Sequence, residues 1–372
     1  MPSVDTPPPP PSSSTTKRPL YEASTQFKNW RYSPERLSQM RTTMNEAAVG
    51  VIRKTFEAYE PGSSSNVSFV NAHEEHLLVT FYVHKISQLC GHFRFPEEVE
   101  ATAASYLKRF YLKNTVMDWH PKNVMLTALF LATKTTNNPI SLEAYASHIP
   151  NTVASDVLDL EFLVAQSLAF EFAVWHAHRS LWGIWLDIQS LPDTRSDIAQ
   201  NQNSIYDSAL AYVRAARLTD AEFIYTPSQI ALACMHLAAP ELAQKWLESK
   251  TNMPISENQT DIPPRPSAAA LATSIEAIKS IITETGKVPN VEAVREVDLR
   301  LRTCKNPEKV VGTKAYLARK AEAEKKAEEK RNKKVEGQKM HSAGEVDPFG
   351  DPLAEPVKPG LVDYDDDDDD DD

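Results

Sequence analysis

In SPERLSQMRTTMNEAAVGVI (33–52), Leu37, Met40, Met44, Ala47, Ala48 and Val51 recur at three- and four-residue intervals, the spacing that lines side chains along one helix face. Ser33 ahead of Pro34 supplies an N-cap and a first-turn proline, so the helix starts there. The same period predicts helices over 72–93 and 95–114; on the second, Val99, Ala103, Tyr106, Leu107 and Phe110 form the apolar stripe. HPKNVMLTALFLATK (120–134) reads differently. It is apolar nearly all round, the mark of a helix buried on every side and hence of a bundle centre. A short helix over 141–149 and one continuous helix over 151–172 complete a set of five.

A second set follows. Surface-type periodicity over 178–189 and 194–217 leads into TPSQIALACMHLAAP (226–240), again apolar on most sides, then helices over 241–249 and 267–285. Thr226, Pro227 and Gln229 have the spacing of a capping box, in which hydroxyl and amide oxygens accept from free first-turn amides. Residues 105–134 overlay 211–240 without a gap. Tyr106 meets Tyr212, Pro121 meets Pro227, and Leu126, Leu131 and Ala132 meet Leu232, Leu237 and Ala238. The predicted fold is therefore all-α, a tandem pair of five-helix bundles with extra N- and C-terminal helices.

The expected boundaries are a Pro/Ser/Thr-rich disordered tail (1–27), an N-terminal helix and linker (28–71), a first bundle (72–175) and a second (176–286) with a polar, Pro-rich insert (250–266). Beyond them lie charged C-terminal helices (287–340) and a disordered acidic tail (341–372). The stretch 314–334 is charged on all faces and reads as a solvated helix supported by Glu–Lys pairs. A net charge of −11 argues against direct nucleic-acid or anionic-membrane binding. Three scattered cysteines form neither a disulfide framework nor a zinc knuckle, and the glycines form no phosphate-binding loop. No apolar run resembles a signal peptide or a membrane span, so a soluble, intracellular protein without cofactor or metal is expected.

HEEH (73–76) lacks the HExxH spacing that puts two imidazoles on one helix face, and HAH (176–178) is equally unsuited, so both read as structural. The terminal aspartates cannot line a pocket and are read as a solubilising tail. Two charges stand out. Glu161 sits on the stripe Val157, Leu160, Val164, Leu168, where an unpaired carboxylate is costly. Lys134 ends the buried helix, where the dipole favours a cation. Either each charge satisfies a neighbour within the bundle or reaches water, or both await groups of another chain.

The paired bundles, with YLKRFYL leading into HPKNVMLTALFLATK, resemble the cyclin family. RFYLKNTVMDWHP and LTDAEFIYTPSQIALA resemble in particular its branch in the kinase-activating (CAK) module of transcription factor TFIIH. The resemblance runs from about residue 28 to about 300. It implies a non-catalytic regulatory subunit that activates a cyclin-dependent kinase, supporting phosphorylation of the RNA polymerase II C-terminal domain and of kinase activation loops. It implies as partners the kinase, a RING-finger assembly factor and the TFIIH core, and a nuclear location. By position Lys134 and Glu161 match the cyclin lysine and glutamate that hold the kinase's mobile C-helix inward. The chain departs from cell-cycle cyclins in reading EEHLLVTFYVHKI where a substrate-docking patch would lie. Thr6-Pro7 and Ser33-Pro34 match proline-directed phosphorylation sites, Ser33 serving also as the helix cap. The alternative is a TFIIB-like cyclin-fold transcription factor that grips DNA and polymerase, although the chain has neither a CxxC pair nor a basic balance.

Overall fold

Ser33 opens the first long helix as the sequence predicts: its hydroxyl accepts from the Arg36 amide at 3.2 Å, with Pro34 in the first turn. The computed structural model describes residues 20–191, 202–251 and 268–342. The start of the N-terminal tail (1–19, with Thr6), the expected helix start at 194–201, most of the insert (252–267) and the acidic terminus (343–372) lie outside the described residues. Among the described residues every regular element is helical.

Two short helices, α1 (Leu20–Ala23) and α2 (Thr25–Asn29), precede α3 (Pro34–Tyr59). The first bundle holds α4 (Ala72–Phe93), α5 (Glu97–Phe110), α6 (Pro121–Thr135), α7 (Leu142–Ser147), α8 (Ala154–Leu158) and α9 (Glu161–Ser167). Its core surrounds α6, whose residues from Val124 to Thr133 are all buried, as a helix apolar on every side requires. The second bundle holds α10 (Ala177–Ser190), α11 (Gln202–Arg217), α12 (Ala221–Ile224), α13 (Pro227–Ala238), α14 (Pro240–Thr251) and α15 (Ala268–Thr285). There α13 occupies the place of α6, packed by α10, α11 and α15. The Thr226 box forms: its hydroxyl accepts from the Gln229 amide, and the Gln229 side chain accepts from the Thr226 amide.

From the second bundle the chain returns to the first. Helix α16 (Val291–Thr303) packs on α4, adding Val294, Val297 and Leu301 to the first core. Glu74 pairs with Arg300, and Asp298 with His120 at 2.9 Å.

One expectation needs correction. The helix over 151–172 is broken into α8 and α9, and α9 ends where Ala169 and Phe170 take left-handed backbone (φ 52° and 56°). Val157, Leu160, Val164 and Leu168 are nevertheless all buried; a stripe records which side faces the core and is blind to a turn that preserves the side. On α5 the predicted stripe of Val99, Ala103, Tyr106, Leu107 and Phe110 is buried, and the opposite side is covered as well. Ser105, Lys108 and Arg109 are as buried as its apolar residues, because the second bundle and the N-terminal segment cover its polar side.

The chain divides after Val310 into two compact units. The second contains α17 (Lys314–Ser342), whose residues from Leu317 to Val335 are all exposed. As predicted, Glu322–Lys326 and Lys320–Glu324 pair across one turn, at 3.2 and 3.9 Å.

Candidate functional site

The last turn of α6 and the first turn of α9 bring Lys134 and Glu161 together. Nζ of Lys134 lies 2.5 Å from Oε1 of Glu161, and 4.5 Å from the centroid of the Phe130 ring one turn earlier. Each charge sits at the helix end whose dipole favours it, the ammonium at a C-terminus and the carboxylate at an N-terminus. The site is wet: the side chains are 43% and 22% exposed. The two predicted residues thus satisfy one another at a surface edge. An exposed pair of this kind adds at most about 1 kcal/mol to stability, so folding does not demand it.

Around it lies apolar surface. Phe162, next to Glu161, is 60% exposed, and Phe170 is 56% exposed with its ring centroid 6.2 Å from that of Phe162. Leu158 and Val153 are exposed on the same run of chain. Phe170 reaches the surface because two consecutive residues adopt left-handed backbone, which costs roughly 1–2 kcal/mol per residue. The bend also delivers Glu171 to the N-terminal segment, where its carboxylate accepts from the Asn29 amide and the Trp30 indole. Sequence reasoning missed these phenylalanines. Their signal was two aromatic residues lying off the buried stripe of 151–172.

The other candidates have structural roles. In HEEH, Glu74 forms the α4 capping box with Asn71 and pairs with Arg300. Glu75 is buried and accepts from Asn45 and Thr115; burial raises its pKa, with those two donors working the other way. His176 meets Thr102 at 2.9 Å and stacks on His178. Among the described residues no His, Cys, Asp and Glu cluster could hold a metal, and no helix is long and apolar enough to cross a membrane. Ser33 is exposed and engaged as a cap.

A junction that the sequence did not reveal fixes the two bundles to each other. Glu97 holds Arg214 and Arg217, Glu98 holds Arg179, and Glu100 holds Arg217. Lys108, 5% exposed, donates to the Thr219 carbonyl at 2.9 Å and pairs with Glu222 at 2.7 Å, while Ser105 donates to the same carboxylate. Trp30, buried, is flanked by the cations of Arg109 and Lys113, each 4.8 Å from its ring.

Two bundles in tandem, one lysine–glutamate edge and a flanking apolar surface can be set beside known proteins. Residues 63–173 match the cyclin N-terminal domain and residues 176–283 the cyclin C-terminal domain. The chain belongs to the cyclin family. Cyclins are non-catalytic regulatory subunits of kinases, and this cyclin is one. It is 33% identical over 241 residues to Cyclin CCL1 of Saccharomyces cerevisiae, covering 62% of this chain and 61% of that protein. It is 31% identical over 225 residues to a putative cyclin-H of Dictyostelium discoideum, covering 58% of this chain and 75% of that one. Its fold matches a chain of the CAK complex of Chaetomium thermophilum bound to ATP-γ-S with a TM-score of 0.69 and 26% identity, over 82% of this chain and 94% of that chain. It also matches a chain of the yeast TFIIK (Kin28/Ccl1/Tfb3) complex with a TM-score of 0.54 and 31% identity, over 70% and 100%.

Proposed function

We propose that this cyclin binds and activates a cyclin-dependent kinase of the CAK/TFIIH module, supporting phosphorylation of the RNA polymerase II C-terminal domain and of kinase activation loops. The observation that carries the reading is the Lys134–Glu161 couple, exposed beside Phe162 and Phe170, in a chain similar to members of CAK and TFIIK complexes. Lys134 and Glu161 are the kinase-binding residues of this proposal. On docking, each exchanges its mutual contact for hydrogen-bonding groups of the kinase's C-helix region, while the phenylalanines supply apolar burial. The kinase C-helix is thereby held inward, where its glutamate pairs with the third-strand lysine that aligns ATP phosphates. Activation is a population shift, since only the inward state offers the full interface. The cyclin itself moves no bond.

The third subunit in the yeast complex Kin28/Ccl1/Tfb3 supports a RING-finger assembly factor as a further partner; the TFIIH core as a partner and a nuclear location belong to the same proposal. Thr6 and Ser33 are proposed acceptors for the bound kinase; Ser33 would have to leave its cap to be modified. The TFIIB-like alternative is not favoured, since the chain has no CxxC pair and a net charge of −11.

Two variants test the site. Lys134→Ala/Glu161→Ala is expected to lower kinase binding and activation at least about tenfold, while the melting of the isolated chain changes by no more than a surface pair contributes. The reversed pair Lys134→Glu/Glu161→Lys restores the internal contact with the wrong sign toward the kinase, and is expected to fold normally and fail to activate. Full activation by the reversed pair would sink the assignment, as would loss of folding in the double alanine variant.

A further inference from the structure

Charge along α17 is not evenly mixed. Between Lys320 and Glu329 acids and bases interleave and pair across single turns. Lys330, Arg331, Asn332, Lys333 and Lys334 then place four cations in five positions with no acid among them, all exposed. The one-turn neighbours of Lys330 are Lys326 behind it and Lys333 and Lys334 ahead, like charges that oppose the helix, whereas Arg331 and Lys333 have Glu328 and Glu329 one turn before them. Asn332 within the cluster and Gly337 beyond it are poor helix formers. With no apolar stripe to anchor it, this stretch of α17 is held helical by local contacts alone, so unwinding it disrupts no packed core.

The arrangement also bears on what it would recognise. Kept helical, the four cations fan over about 160° of the surface rather than forming one stripe along a rigid polyanion. Unwound, they span about 16 Å of extended chain with side chains alternating to either side, the form a groove lined by acidic and aromatic residues accepts.

Resting on the reading of this cyclin as a nuclear kinase subunit, we propose that Lys330–Lys334 is a nuclear-import signal, a basic segment that unwinds from α17 into the acidic groove of an import adaptor. The full-length chain, fluorescently labelled, is titrated with purified importin-α lacking its autoinhibitory segment at physiological salt. The wild type is expected to bind at micromolar or tighter affinity. Replacing Lys330, Arg331, Lys333 and Lys334 by alanine is expected to weaken binding at least about tenfold, and replacing Lys320, Lys325 and Lys326 to change it less than about twofold. Melting of both variants should match the wild type. Equal loss in the two variants, absence of wild-type binding, or a quadruple variant that keeps the adaptor but loses a duplex DNA or an anionic vesicle would each overturn the assignment. Stimulation of the kinase by the same wild-type preparation is a separate readout, so failure of the kinase reading and failure of the import signal are told apart.

Discussion

Glu75 shows how much a single buried carboxylate depends on neutral donors. Asn45 Nδ2 at 3.0 Å and Thr115 Oγ1 at 2.5 Å supply its hydrogen bonds, and burial leaves its pKa raised. A raised folded pKa contributes stability that is fully present below the unfolded pKa and is lost as pH rises through the folded value. Glu75→Gln keeps an acceptor and removes the charge. It is therefore expected to melt at or above the wild type at pH 7.5, with the difference shrinking toward pH 4. Glu75→Ala, which orphans both donors, is expected to lose about 1–3 kcal/mol in urea titrations. At this scale HEEH was legible as structural from its spacing, and Lys134 and Glu161 were legible as odd charges on apolar helices. That they meet was not, since 27 residues separate them and only the packing of α9 against α6 closes the distance.

Helix α5 carries the corresponding lesson among elements. Its apolar stripe was visible in the sequence, whereas its polar face was not recognisable as buried, because Ser105, Lys108 and Arg109 look like solvent-facing residues until Glu222, Thr219 and Trp30 arrive from distant segments. Lys108→Ala leaves Glu222 without its cation in a half-buried site and is expected to cost about 3 kcal/mol. Adding Glu222→Ala should then cost less than the sum of the two single changes, a coupling that denaturant titration of all four proteins reads directly. Strict additivity would mean that the pair contributes nothing to the junction. The break between α8 and α9 escaped prediction for a related reason. Four-residue spacing of buried positions is satisfied equally by one helix and by two short ones that keep the same side inward.

For the molecule as a whole, the junctions between elements make stability depend on pH. Burial lowers His76 and His178 to about 4, with Arg41 and Arg217 respectively adding to it. Burial raises the carboxyls of Glu97 and Asp220, but Arg214 and Arg217 in the first case and Arg41 in the second outweigh it and hold both at about 2. Histidines depressed in the fold favour it above their unfolded pKa of 6.5 and cease to as pH falls through 4; depressed carboxyls favour it above about 4 and cease to as pH falls through 2. Melting temperature is expected to fall in two stages, from pH 6.5 to 4 and again from 4 to 2, with Glu75 offsetting part of the loss. Burial lowers His176 as well, so His76→Gln/His178→Gln should reduce the slope of the first stage without abolishing it and leave the second; an unchanged slope between pH 6.5 and 4 would assign that loss to other groups.

The sequence alone determined most of the longer helices, the caps at Ser33 and Thr226, the central position of α6 and α13 and the tandem repeat, because periodicity and capping are local and act within a few residues. Tertiary structure decided which polar faces are buried, where the chain breaks between α8 and α9, and that Lys134 meets Glu161 beside exposed phenylalanines. Those outcomes rest on contacts between residues far apart in the chain, and the free energy of a buried charge or ring is set by the partner that covers it, which no local pattern encodes.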